Sequence, residues 1–275
     1  MKTLKPVIKW SGSKRSQLPL LEEHLPIHIE KYVEPFVGGG SVFGHLLSRG
    51  GVEKFEIGDL NSDLIRLWKS IQNTPDQLVN HYHEVWKGLK DCKNLDDKKT
   101  YFNIVRERLN EEHDPYDFMF ILRTCVNGMP RYNNSGSFNT SYHLNRDGMK
   151  PETLKGIIFE WSELINNSRV TFENKSYSSI KTDSKDFMYL DPPYANTKGM
   201  YFGGFDNSQF FNWLREQEAS WLLSYDGKSG SVDSTYQVPD DLYSAHKYLK
   251  AGNSSFKRTM TGNKDAQVYE SLYIK

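Results

Sequence analysis

The apolar positions of this chain follow two rhythms. Val7-Ile8-Lys9-Trp10 reads as a short extended piece, and Tyr32-Val33, Phe55-Glu56-Ile57, Val170-Thr171-Phe172, Phe187-Met188-Tyr189-Leu190 and Trp221-Leu222-Leu223-Ser224-Tyr225 read as short strands. Ala245–Leu249 and Val268–Ile274 are a looser, aromatic and branched pair that predicts two closing strands. Leu64, Ile65, Leu67, Trp68 and Ile71 instead recur at helical spacing over 61–71. From about residue 75 to 170 the pattern becomes helical, with Phe118–Leu122 as a buried segment. Strands and helices mixed in this way predict an α/β protein with a mainly helical insertion.

Three of the predicted strands end in chemistry. The run 187–190 stops at Asp191-Pro192-Pro193-Tyr194. Proline cannot donate to a sheet ladder and drives its predecessor into an extended conformation. Asp191 is therefore expected at the carboxyl edge of a sheet, where open α/β folds bind ligands. A carboxylate, a fixed proline carbonyl and the Tyr194 ring suit the exocyclic amine of a planar base, although a plain proline turn would leave the same trace. Tyr32-Val33-Glu34-Pro35-Phe36-Val37-Gly38-Gly39-Gly40-Ser41 reads as strand, glycine loop and helix start. Its spacing is neither the dinucleotide-binding nor the phosphate-cradling pattern, so a ligand without phosphate fits better. Asp59 closes the next strand nineteen residues after Gly40, near the interval at which nucleotide-binding sheets place a ribose-binding acid. Ser11-Gly12-Ser13 forms a tight loop into a helix starting near Arg15, with Trp10 free to stack or be buried and Lys14 to pair with a carboxylate or face solvent.

Composition narrows the classes little. The 275 residues are 37% hydrophobic and 25% charged, as in an ordinary globular protein, and 13% aromatic, which leaves rings for stacking. Formal net charge is zero, so any basic surface must be local. Cys92 and Cys125 support neither a disulfide framework nor a cysteine-rich zinc site, and a reducing cytoplasm is the expected setting. Neither a signal peptide nor a membrane-length apolar run is present in the sequence, so no membrane association is expected.

Within the insertion, His81 and His83 lie two apart on a helix and point to different sides, a poor start for a metal site. Lys98, Lys99, Arg106 and Arg108 read as a solvated face. The glycine-punctuated stretch 123–139 mixes Arg123, Asn127, Arg131, Tyr132, Asn133 and Asn139. It is either a polar surface hairpin or a reader of bases, since arginine matches guanine and asparagine adenine, and tyrosine or asparagine can fill the gap of an extruded base. Residues 195–206 suggest a mobile loop over the site, and Asp226-Gly227 a turn after its strand. Lys257, Arg258 and Lys264 suggest a basic turn within reach of phosphates.

Lys9–Lys14, Glu34–Gly40, Asp59, Arg123–Asn139 and Asp191–Tyr194, in that order, resemble the Dam-type (D12 class) DNA adenine-N6 methyltransferases over nearly the whole chain. The resemblance implies a Rossmann-like sheet, mostly parallel with a reversed C-terminal strand, in a catalytic domain of residues 1–72 and 168–275. Residues 73–167 would be the inserted, mainly helical target-recognition domain. It implies S-adenosyl-L-methionine as cofactor, held by Trp10, Lys14, Pro35, Phe36, Gly38, Gly39, Gly40, Asp59 and Asp191. Asp191, Pro192, Pro193 and Tyr194 would grip a flipped adenine, and Arg123, Asn127, Arg131, Tyr132, Asn133 and Asn139 would contact double-stranded DNA. No metal is called for, a monomer suffices, and GATC is the family's default target. The chain departs from relatives at Tyr225, where many have asparagine, at Thr140-Ser141-Tyr142-His143, and at Lys175-Ser176-Tyr177, which lacks an acid often placed near the cofactor adenine. An RNA guanine-N2 methyltransferase shares the Asp-Pro-Pro-Tyr stretch, and a non-catalytic DNA-binding module could share the hairpin, so both remain as alternatives.

Overall fold

The computed structural model describes residues 4–193, 205–230, 232–253 and 267–275. After a 3-10 turn (Lys14–Gln17) come α1 (Leu18–Glu22), β1 (Ile29–Glu34), α2 (Ser41–Arg49), β2 (Val52–Asp59) and α3 (Ser62–Asn73). The insertion supplies α4 (Pro75–Asp91), α5 (Leu95–Glu112), α6 (Pro115–Thr124) and α7 (Pro151–Asn166). The chain returns through β3 (Val170–Asn174), β4 (Asp186–Leu190), α8 (Asn207–Arg215), β5 (Ser220–Ser229), β6 (Val232–Asp233), β7 (Ala245–Asn253) and β8 (Gln267–Ile274).

The sheet runs β3-β2-β1-β4-β5-β8-β7, with β6 paired to the end of β5. Its first five strands are mutually parallel, whereas β8 is antiparallel to both neighbours. Strand order reverses between β1 and β4, and a crevice opens at such a switch point beyond the carboxyl ends of the strands. β4 is buried at all five positions, which is why its sequence is apolar without alternation.

Helix ends follow local chemistry. Asn61, Asn94 and Asp114 cap α3, α5 and α6 by accepting first-turn N–H groups, and Pro75, Pro115 and Pro151 occupy first helical positions. The insertion is not set apart by a linker. Phe102, Phe118 and Phe120 belong to the same buried cluster as Phe43, Phe55 and Trp68 under the sheet. Trp161 of α7 lies 5.2 Å from Trp68 and 5.9 Å from Phe43 between ring centroids.

Two local expectations are corrected. Val7–Trp10 is not a strand: Val7 and Ile8 are buried in a bend. Asp226-Gly227 is not a turn, because β5 continues through it with a bulge against β8 between Tyr225 and Lys228. Most of the expected mobile loop, 195–204, and the basic residues Lys257, Arg258 and Lys264 lie outside the described residues.

Candidate active site

Adjacent strands each carry an acid to the switch point: Asp59 ends β2, Glu34 ends β1, and Asp191 follows β4. All three line one cavity of about 570 Å³, within the range of roughly 300–1,000 Å³ typical of small-molecule sites. Trp10–Lys14, Pro35–Ser41, Lys175–Ser178, Tyr189, Pro192 and Pro193 complete most of its wall.

The glycine loop owes its composition to two indoles. Gly38 and Gly40 have φ of 48° and 67°, in the left-handed region. A Cβ on Gly38 or Gly39 would sit 2.9 Å from Trp10, and one on Gly40 would sit 2.7 Å from Trp68. Trp68 donates its Nε1–H to the Gly38 carbonyl at 3.2 Å. Trp10 thus lines the cavity while packing across the loop. Asp59 is tied to the same turn, accepting from the N–H of Gly38 at 3.2 Å and of Asn61 at 2.9 Å.

Burial decides the protonation of these acids. Glu34 is 2% exposed and accepts the Tyr32 hydroxyl at 2.6 Å. Burial, with the Asp191 and Asp59 charges adding to it, pushes its carboxyl up to about 8, so it is neutral near pH 7. Burial raises Asp59 to about 6, against the lowering effect of its backbone N–H partners. Asp191 is the paired acid: Lys14 Nζ lies 2.7 Å from its Oδ2 and 3.4 Å from Glu270 Oε2 on β8. Lys14 is nearly sequestered, at 3% exposure.

Phe36, Tyr177 and Phe205 also line the cavity and pack on one another, Phe36 lying 5.6 Å from Tyr177 and 6.1 Å from Phe205 between centroids, so aromatic surface is presented to whatever the cavity holds. Lys175, in the stretch that lacks the acid expected near a cofactor adenine, is held at 2.6 Å by both Glu56 and Glu173. Tyr225 stays out of the cavity. It is fully buried and donates its hydroxyl to Asn207 of α8.

The residues of 123–139 divide. Arg123 is corrected: it is 7% exposed, and its guanidinium donates to the carbonyls of Pro6, at 2.8 Å, and Val7. It tethers the N-terminal segment beneath the loop and cannot reach a base from there. Tyr132 faces the cavity, its hydroxyl accepting from Asn61 Nδ2 at 2.6 Å. Asn133 is exposed but uses its Oδ1 to accept from the N–H of Ser135 and Ser137, shaping the loop tip. Asn127, at φ 58°, Arg131 and Asn139 are exposed. Antiparallel bridges Tyr132–Phe138 and Cys125–Tyr142 give this stretch its hairpin form. Tyr194 lies outside the described residues.

Sequence reasoning did not single out Glu34, Tyr189, Gln209 or Glu270 as wall residues. Glu34 ends a buried strand beside a proline, the same signal that marked Asp191. Glu270 left no such signal, because only the pairing of β8 with β5 brings it there. Among the described residues, His81, Asp114 and Asp117 come within metal-ligand reach of one another. Arg108 already pairs with the buried Asp117 at 2.5 Å and His81 bonds it at 2.7 Å, which accounts for that group as an ion-pair network.

A mostly parallel sheet with a reversed C-terminal strand, a helical insertion and acids at successive strand ends define a Rossmann-like methyltransferase. The chain belongs to the D12 class N6 adenine-specific DNA methyltransferases, whose family model matches residues 10–255. It is 33% identical over 208 residues to a type II methyltransferase of Methanocaldococcus jannaschii, covering 70% of this chain and 69% of that one. It is 29% identical to a type II methyltransferase of Paramecium bursaria Chlorella virus NC1A, covering 80% and 82%. It is 31% identical to the DNA adenine methylase of Escherichia coli strain K12, covering 71% and 66%. The protein is therefore an enzyme, a site-specific adenine DNA methyltransferase. That membership sets aside the RNA guanine-N2 and non-catalytic alternatives. Among the described residues, no helix is long and apolar enough to cross a membrane.

Proposed function

We propose that the cavity seats S-adenosyl-L-methionine and, at its Asp191 edge, an adenine extruded from duplex DNA. One observation carries this reading: Asp191 and Pro193 line the same cavity as Gly38–Gly40 and Asp59. The wall suits such a cofactor. Phe36 and Tyr177 offer aromatic faces, Asp59 a carboxylate for hydroxyls, the glycine loop close main-chain approach, and the cluster of acids a field that favours cations. When bound, the cofactor supplies an electrophilic methyl carbon on a positively charged sulfur.

The chain's own residues hold and activate the acceptor. The Asp191 carboxylate and the Pro193 carbonyl each accept one hydrogen of the adenine amine. Two such bonds favour a tetrahedral nitrogen and free a lone pair otherwise delocalised into the purine. Fixing the amine in line can contribute as much as ~7–11 kcal/mol to the barrier reduction. Tyr194 is assigned the stacking face, offsetting part of the few kcal/mol that unstacking costs. Residues 73–167 serve as the target-recognition unit, with Asn127, Arg131 and Asn139 toward DNA. GATC enters only as the family's default target, and the cytoplasm is the setting.

The test is Asp191→Ala, assayed for methyl-tritium transfer to duplex DNA and, by calorimetry, for cofactor binding. Loss of transfer with cofactor binding largely intact is expected. Full activity in the variant would remove Asp191 from the mechanism.

A further inference from the structure

We propose that Glu270 is a positioning residue for methyl transfer: from β8 it shares the Lys14 ammonium with Asp191 and sets how strongly that carboxylate can accept the adenine amine. The inference rests on the reading of Asp191 as the amine acceptor.

Lys14 Nζ stands between two carboxylates, 2.7 Å from Asp191 Oδ2 and 3.4 Å from Glu270 Oε2, and donates to the Gly12 carbonyl at 3.2 Å. Glu270 Oε2 also accepts from Gln17 Nε2 at 2.9 Å, and Gln17 is 2% exposed. The 3-10 turn that carries both Lys14 and Gln17 is thereby locked to β8. Glu270 reaches this place through the bulge opposite it. A Cβ on Gly227 would lie 2.8 Å from the Glu270 Cα and closer still to the Tyr269 carbonyl, so β8 can approach only because position 227 is bare.

One ammonium facing two acids in a sequestered site divides its field between them. With Glu270 neutralised, Lys14 acts on Asp191 alone. The Asp191 charge is then drawn to Oδ2 and the carboxylate becomes a poorer acceptor for a neutral amine. Of the other titratable groups facing Asp191, Glu34 and Tyr189 are held neutral near pH 7 by burial, so removing the Glu270 charge also stabilises the ionised Asp191 and moves its protonation to lower pH.

The experiment compares wild type, Glu270→Gln, Glu270→Asp and Asp191→Ala, measuring kcat and KM for duplex DNA, cofactor Kd by calorimetry, and kcat across roughly pH 5 to 9. Glu270→Gln should lower kcat by about tenfold or more, change cofactor Kd by less than about threefold, and shift the acid limb of kcat to lower pH. Glu270→Asp, which keeps the charge on a shorter arm, should fall between and keeps the proposal testable if the glutamine variant folds poorly. Wild-type kcat with an unmoved acid limb in either variant overturns the proposal. So does lost kcat with an unmoved limb and a lowered Tm, which marks a structural role, or weakened cofactor binding at unchanged kcat. An inactive Asp191→Ala beside a normal Glu270→Gln sinks this inference alone, whereas an active Asp191→Ala sinks the parent reading too.

Discussion

At the scale of single residues, the acids at the strand ends carry the clearest consequences. Glu34 sits at about 8 and Asp59 at about 6, both above their ordinary carboxyl values of 4.5 and 3.8. Between those values the native state holds a proton that the unfolded chain has released. Stability is therefore greatest at the acid end of the window and falls as pH rises, by up to about 1.4 kcal/mol per pH unit for each group. Urea melts between pH 5 and 8 should show this decline, and Glu34→Gln should remove the part between pH 6 and 8. Arg123 and Arg131 provide a second contrast. Arg123→Ala strips a buried guanidinium from the carbonyls of Pro6 and Val7 and should cost roughly 2–3 kcal/mol in denaturant unfolding. Arg131→Ala, on the exposed hairpin, should leave unfolding unchanged and lower duplex affinity by about 1–3 kcal/mol. Residue type alone could not separate these two arginines, because guanidinium suits both a buried carbonyl cage and a base edge.

At the scale of elements, legibility followed how local the cause was. β4 could be read because full burial on both faces demands an unbroken apolar run, and its end because proline stops a ladder. The glycine loop could be read as a close approach, but the objects approached, Trp10 and Trp68, come from other elements. Gly40→Ala should accordingly destabilise by about 1–3 kcal/mol, from a strained φ and the displaced Trp68 ring, and should weaken cofactor binding measured by calorimetry. The Asp226-Gly227 pair was misread because a bulge and a turn share the same residues. Only the antiparallel partner β8 decides between them.

At the scale of the whole molecule, zero net charge and DNA as substrate are compatible only if cationic contacts are concentrated on one face. Duplex affinity should still fall with added salt, with about 0.9 in the logarithmic slope for each phosphate contacted. Arg131→Ala should leave that slope unchanged while relaxing the methylated sequence. Mapping N6-methyladenine in DNA from cells expressing the chain reads the target directly, and a single fixed site is expected. The order of motifs, the α/β alternation and the strand-end acids Asp59 and Asp191 were determined by the sequence itself, since each depends on neighbours a few residues away. Tertiary structure alone decided that Arg123 is internal, that Tyr132 faces the cavity, and that Glu270 meets Lys14. Those outcomes depend on which elements pack together across 71 residues of chain or more, and no local preference encodes such a meeting.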